Sequence, residues 1–324
     1  MNRRSFLGVV GCAFGTVASN ASSQQPRIYR IGYLHPTGPQ DVGYPAFRRG
    51  MTDLGYVLGA NAIIEERFAE SRLERLPGMA AELVANRVDV IVAVSPPAIQ
   101  AARAATRTIP IVMAFSGSDP VRYGFAASLA RPGGNTTGVT AVLLDIAPKW
   151  LELLRDLVPG LKTVAVLRYP FEGHTATIGI LKAAAEASRI RLNVVEVGNA
   201  DGYEQAFAAS AGAGSQAIIV LPAPEFSENR ARIVELANRY RLPSLFQYTD
   251  FVPIGGLVSY GPDIADLAYR AAAYVDKILK GANPAEMPIE QPRKLFLLIN
   301  RRTASALGLT IPPALLLLAD QVFQ

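Results

Sequence analysis

Hydroxyls, carboxylates, an amide and aromatic rings stand directly after several short apolar runs of this chain. His35, Thr37, Asp41 and Tyr44 fall in HPTGPQDVGY (35–44), Ser95 and Pro96 in SPP (95–97), and Ser116, Ser118 and Asp119 in SGSDPV (116–121). Later, Arg168, Tyr169 and Phe171 fall in RYPF (168–171), Pro222 and Glu225 in PAPEF (222–226), Gln247, Tyr248 and Asp250 in QYTDF (247–251), and Tyr260 in SYG (259–261). Such a set suits recognition of a small zwitterion with an apolar or aromatic body. Asp119 and Asp250 are the two candidates for an ammonium. Asp-Pro at 119–120 is equally a turn opener, and Asp250 equally a cap. Arg168 balances a ligand carboxylate or forms a surface ion pair, and Glu225 ranks last among these charges. Tyr44, Tyr169, Phe171 and Tyr248 either wall a pocket or fill a core.

Catalysis has little to stand on. No G-x-G-x-x-G, G-x-x-x-x-G-K-[ST] or G-x-S-x-G follows a strand, and there is no H-E-x-x-H. The chain has two histidines, so a histidine-rich metal site is not expected. His35 reads as a polar ligand contact or a solvated tip, and His174 as a residue that caps or precedes a helix. Glu65 and Glu66 alternate faces on a strand and do not converge. The sequon NTT (135–137) reads as a turn. No cofactor, no metal and no enzymatic activity are expected, which leaves binding.

The elements that must carry these residues alternate strand and helix. Strands are expected at 27–35, 62–68, 88–94 and 109–115, with helices at 46–56, 73–87 and 97–106 between them, and a turn and strand at 133–142. VDVIVAV (88–94) is continuously apolar, as in a parallel sheet buried on both faces. The pattern then restarts. Helix 147–158 leads to strands at 162–169, 192–198, 217–222 and 243–249, with helices at 175–189, 203–211 and 227–241. Two such runs imply an α/β protein with two Rossmann-like, doubly wound parallel-sheet lobes. The tail holds a strand (255–261), a long helix (263–281), another strand (294–300) and a short helix (301–308), too few for a third lobe. The expected division is 27–143 plus 253–283 for the first lobe and 144–252 plus 284–324 for the second. The chain must then cross between lobes more than once, making a multi-strand hinge. In such sheets ligands lie beyond the carboxyl ends of the strands, which is where the residues above fall.

Residues 1–23 read as a signal peptide. Arg3-Arg4 precede a short apolar run from Phe6 to Val17, and RRSFLG resembles the twin-arginine export motif. The run is too short to span ~30 Å of hydrocarbon. VVGC (9–12) loosely resembles a lipobox, but the apolar run before Cys12 is only seven residues, so cleavage near Ala21 or Ser23 is expected instead of lipid anchoring. Cys12 is the only cysteine, so the mature chain has no thiol for a disulfide, a metal or a nucleophile. Net charge is +5, falling to +3 without Arg3 and Arg4 (5 − 2), with basic residues scattered among acids. No nucleic-acid partner is expected.

Over essentially its full length the chain resembles the ABC-transporter substrate-binding protein family that includes tryptophan- and tyrosine-type binding proteins. The likeness rests on FRRGMTDLGYVLGANAIIEERFAE (47–70), RLPGMAAELVANRVDVIVAV (75–94), SLARPGGNTTGVT (128–140), the stretch from Gly255 to Pro292, and LLINRRTASALGLTIPPALLLLAD (297–320). It implies the type I periplasmic-binding-protein fold, closure around one small-molecule ligand, an ABC permease with its ATPase as partner, a periplasmic location and a monomer. Aromatic amino acids are ligands of some members. The alternative is a periplasmic sensor presenting its closed state to a receptor; a neighbouring permease and ATPase gene pair favours transport.

The family pattern at 95–99 is Gly-Thr-Pro-Ala-Ala, so Ser95 replaces glycine and Pro96 replaces threonine. Pro97 then stands at the first helical position and Pro96 at the N-cap. The free donors become the amides of Ala98 and Ile99, at the helix end carrying about +0.5 charge, where a carboxylate fits. Family members often carry Asn where Arg168-Tyr169 stand, which points to altered ligand preference.

Overall fold

The computed structural model describes residues 27–324 apart from 118, 142–145 and 171–172. The leader, Cys12, Ser118 and Phe171 therefore lie outside the described residues. In the first lobe β1 (Tyr29–His35), β2 (Ala62–Phe68), β3 (Val90–Val94), β4 (Ile111–Phe115) and β5 (Thr136–Gly138) form a parallel sheet in the order β2-β1-β3-β4-β5. Helices α1 (Gly43–Asp53), α2 (Leu76–Ala85) and α3 (Ser95–Ala105) connect them. Every residue of β3 and β4 is buried, because helices cover both faces of the sheet.

The second lobe holds β6 (Thr163–Arg168), β7 (Arg191–Glu196), β8 (Ala217–Val220), β9 (Ser244–Phe246), β10 (Val258–Gly261), β11 (Phe296–Asn300) and β12 (Gln321–Phe323). Their order is β12-β11-β10-β9-β8-β6-β7, parallel throughout except for β10 against β11. The helices are α4 (Ala147–Leu157), α5 (His174–Ala187), α6 (Tyr203–Gly212), α7 (Pro224–Glu228) and α8 (Arg230–Arg239). The tail adds α9 (Ile264–Leu279), α10 (Arg301–Ala306) and α11 (Pro313–Leu318).

The long tail helix returns to the first lobe. Its buried stripe, Leu267, Ala268, Ala271, Ala272 and Val275, packs on α1, and Tyr56 Oη donates to Asp276 Oδ1 at 3.0 Å. Gly50 permits the approach: a Cβ there would lie 2.7 Å from the Tyr269 carbonyl. Asp263 caps the helix, accepting from the amides of Ala265 at 2.8 Å and Asp266 at 3.4 Å.

The expected lobe boundaries need correcting. Val258–Gly261 pairs with β9 and β11 in the second sheet, so the chain leaves that lobe at Pro262, not at 253. Residues up to Glu290 stay with the first lobe, where Glu290 bridges Val139. An apolar strand such as GGLVSYG fits either sheet by pattern alone. Crossings after β5, after β10 and before β11 join the lobes. The expected helix 227–241 is also two helices, broken at Asn229 and starting earlier, at Pro224. The strand expected to run to 249 ends at Phe246, and a 3-10 turn follows at Thr249–Phe251. That early stop releases Gln247 and Tyr248 toward the cleft.

Candidate functional site

A cavity of about 120 Å³ lies between the lobes, beyond the carboxyl ends of both sheets. The first lobe supplies His35, Thr37, Asp41, Ser95, Pro96, Pro97, Phe115 and Gly117; the second supplies Trp150, Tyr169, His174, Thr177, Pro222, Glu225, Ser227, Gln247 and Tyr248. The lobes touch across it. Phe115 meets Tyr248 edge-on at 6.3 Å, and the Ser71 hydroxyl donates to the Glu228 carboxylate.

The junction at Ser95 differs from the sequence expectation. The helix starts at Ser95, with Val94 as N-cap, and both prolines lie in its first turn. The amides without an intrahelical acceptor are those of the N-cap and the first three helical positions, here 94–97. Two of those four are prolines and have no N–H. The amides of Ala98 and Ile99 fall inside the helical ladder, and neither residue lines the cavity. The prolines thus remove an anion seat. Ser95 has φ +65°, a left-handed conformation that favours glycine. Its buried hydroxyl has no hydrogen-bond partner, and Ser95 lines the cavity.

On the first-lobe wall, His35 Nδ1 accepts from the Thr37 amide at 3.1 Å. In the neutral ring the proton then sits on Nε2, which points to Asp41 Oδ1 at 3.6 Å. Asp41 Oδ1 also accepts from the Gly43 amide at 2.7 Å. Burial raises the Asp41 pKa, but His35, Gly43 and Arg230 together outweigh it and hold the carboxyl below its usual range.

On the second-lobe wall, Tyr169 stands edge-on to Phe226 at 6.2 Å. Trp150 is fixed by Nε1–H donating to the Tyr260 carbonyl at 2.9 Å. His174 Nε2 lies 2.9 Å from the Pro222 carbonyl and Nδ1 lies 3.2 Å from that of Tyr169. Burial pulls its pKa below the ordinary imidazole value, against the opposing effect of those two carbonyls. Glu225 is 6 % exposed, and neither carboxylate oxygen has a hydrogen-bond partner. Burial, with a smaller push from Glu228, raises its pKa to about 7, against the pull of its own amide.

Of the residues singled out by sequence, His35, Thr37, Asp41, Ser95, Pro96, Tyr169, Pro222, Gln247 and Tyr248 line this cavity. Several do not. Tyr44 packs on Tyr33 and Phe68 and donates to Glu66. Asp119 closes a turn, accepting from the amides of Val121 at 2.9 Å and Arg122 at 3.4 Å. The Ser116 carbonyl accepts from Thr140 Oγ1 at 3.0 Å, and Ser116 lies behind the wall. Arg168 pairs with Glu196 at 3.3 Å. Tyr260 acts through its carbonyl, on Trp150. Asp250 also sits outside the wall, with Oδ2 3.8 Å from Arg230 Nε. Burial raises its pKa to about 6, Arg230 lowers it and Asp41 adds to the rise.

Phe115, Trp150, His174 and Thr177 escaped the sequence reading. Phe115 ends a buried strand and reads as core. Trp150 and Thr177 lie in the first turns of helices that face the cleft, a position visible only once strand ends are known.

Residues 39–323 match the family model described as ABC transporter substrate binding protein. The chain is 30 % identical over 313 residues to a tyrosine-binding protein of Clostridioides difficile strain R20291, covering 94 % of this chain and 90 % of that one. It is similar in structure to an ABC domain in complex with L-Trp from Streptococcus pneumonia (TM-score 0.84, 28 % identity, 91 % of this chain and 99 % of that chain). A conserved domain protein from Vibrio cholerae O1 biovar eltor is also similar (TM-score 0.84, 26 % identity, 92 % and 99 %). The two parallel-sheet lobes have the architecture of type I periplasmic binding proteins. With the match running from residue 39 almost to the C-terminus, the chain belongs to the family of ABC transporter substrate binding proteins.

Proposed function

We propose that the protein is the periplasmic solute receptor of an ABC importer, taking a small amino acid with an aromatic or apolar body and presenting it to a membrane permease. The leader is removed near Ser23 after twin-arginine export, and the mature protein acts as a monomer. No described helix is long and apolar enough to cross a membrane. The observation that carries this reading is the cavity itself. It is walled from both lobes by Phe115, Trp150, Tyr169 and Tyr248, with the Ser95 hydroxyl and the Glu225 carboxylate unpartnered in the wall. The tyrosine-binding relative and the L-Trp complex support the same ligand class.

Closure follows from contacts that only the apposed lobes can make. Phe115 against Tyr248, Ser71 with Glu228, and the field of Arg230 on Asp41 all span the cleft. A ligand touching both walls shifts the population toward this state by its differential contacts. The Ser95 and Thr37 hydroxyls, not the amides of Ala98 and Ile99, face the ligand's carboxylate. Charge-assisted bonds of about 1.5–3 kcal/mol each and ring burial of about 1.5–3 kcal/mol give micromolar affinity, about 8 kcal/mol, after the cost of closure.

Calorimetric titration of the mature protein against amino acids, small carboxylates and aromatic acids tests this. Saturable one-to-one binding of at least one amino acid at micromolar Kd is expected, with a change in the emission of Trp150, the chain's single tryptophan. The absence of binding across the whole panel, or chemical conversion of a bound solute, contradicts it.

A further inference from the structure

We infer that Glu225 receives a protonated nitrogen of the ligand, and that this cleft selects its solute by the amine and not by the carboxylate. The inference rests on the reading of the cleft as a solute site and names the half of the solute that the site reads.

Five acids stand in or near the cleft, and four already have partners, Glu228 taking the Ser71 hydroxyl. Asp119 closes its own turn. Asp250 lies outside the wall, beside Arg230. Asp41 lines the wall but takes the Gly43 amide and faces the His35 ring. Glu225 lines the wall, is 6 % exposed, and has two oxygens with no donor. A buried carboxylate left without donors is unfavourable unless something fills the place. Its neighbours supply nothing positive. Glu228 lies on the same helix, Tyr169 and Tyr203 approach from adjoining elements, and His174 on the same wall is turned to the Pro222 and Tyr169 carbonyls. Its raised pKa fits an acid waiting for a cation.

The carboxylate side of a zwitterion finds the opposite situation. No lysine or arginine lines the cavity among the described residues, while two carboxylates, Asp41 and Glu225, do. The start of α3, which would otherwise point amides at an anion, has proline at two of its first three positions. The wall therefore attracts an ammonium and offers a carboxylate only neutral hydroxyls.

Calorimetry at pH 8 with three pairs of probes tests this: L-tyrosine and L-tryptophan, tyramine and tryptamine, and the deaminated acids 4-hydroxyphenylpropanoate and indole-3-propionate. The amines are expected to bind at least as tightly as their amino acids, and the deaminated acids about 100-fold more weakly or not at all. Glu225→Gln is expected to weaken amine binding by about tenfold or more, while Asp119→Asn leaves it unchanged. Deaminated acids binding as tightly as the amines overturn the inference and leave the solute-receptor reading intact. So does amine binding that Glu225→Gln does not weaken. If no probe of any class binds the wild-type protein, the receptor reading fails and this inference with it. The ligand series on the wild-type protein decides the matter even where the variant folds poorly.

Discussion

Replacing Gly261 by alanine is expected to destabilise the protein by about 2–4 kcal/mol, lowering Tm by about 5–10 °C. Gly261 ends β10, where the chain is about to leave the second lobe for α9. A Cβ at this position would lie 1.9 Å from the Gln247 carbonyl oxygen and 3.0 Å from its carbonyl carbon. Those are backbone atoms, so no rotamer change relieves the clash. The Gln247 backbone must move by about an ångström, and Gln247 and Tyr248 form part of the cavity wall. Ligand affinity should therefore fall along with stability. A second glycine gives the opposite sign. Gly179 lies inside α5 and a Cβ there meets nothing within 4 Å. Gly179→Ala should stabilise by about 0.5–1 kcal/mol through reduced backbone entropy in the unfolded chain. Thermal unfolding of both variants checks the pair; equal effects would mean that the close approach at Gly261 does not exist in solution.

Glu225→Gln is expected to raise the stability of the ligand-free protein at pH 8 even as it weakens binding. Glu225 has a folded pKa of about 7, well above its ordinary value, chiefly through burial. A raised pKa contributes stability that is fully present below the unfolded value of about 4.3 and is lost as pH rises through the folded value. Between those limits the loss is about 4 kcal/mol at most for a carboxylate this deeply placed. Asp250, raised to about 6, works in the same direction at somewhat lower pH. The neutral amide cannot ionise, so its variant keeps about 1–3 kcal/mol that the wild type loses by pH 8. Denaturant melts at pH 5 and pH 8 read this directly: the difference between wild type and variant should widen in the variant's favour as pH rises. Saturating amine should reverse it, because the cation restores the ionised carboxylate's partner. A difference between the two proteins that does not change with pH would show that Glu225 does not titrate in this range. A site residue whose removal stabilises the fold is the expected signature of function held at the expense of stability.

How much of this was legible beforehand depends on what each residue's pattern reports. VDVIVAV announced a doubly covered strand because its run is uniformly apolar, and β3 is buried throughout. Gln247, Tyr169 and Pro222 were legible as cavity residues because they follow strands, and strand ends face ligands in this architecture. The lobe that owns β10 was not legible, since hydrophobicity says that a strand is buried and not against which neighbour. The tail strand Gln321–Phe323 is too short to leave a periodic signal. Ser95 reads as a glycine replacement, but its left-handed φ and the earlier helix start could not be seen from composition. Asp119 looked like a ligand contact because Asp in a loop serves ligands and turns by the same chemistry; its two backbone partners decide for the turn. Glu225 was ranked last among the charges, and nothing in PAPEF (222–226) marks a buried glutamate. Only the packing of α7 against the cavity shows that it is buried and unpartnered.

Small-angle X-ray scattering of the mature protein, with and without saturating L-tryptophan, tests most directly whether two jointed lobes clamp a solute between them. The radius of gyration should fall when ligand is added, and the ligand-bound profile should match the apposed-lobe arrangement described above. Superimposable profiles, under conditions where calorimetry shows the ligand to be bound, would contradict the account.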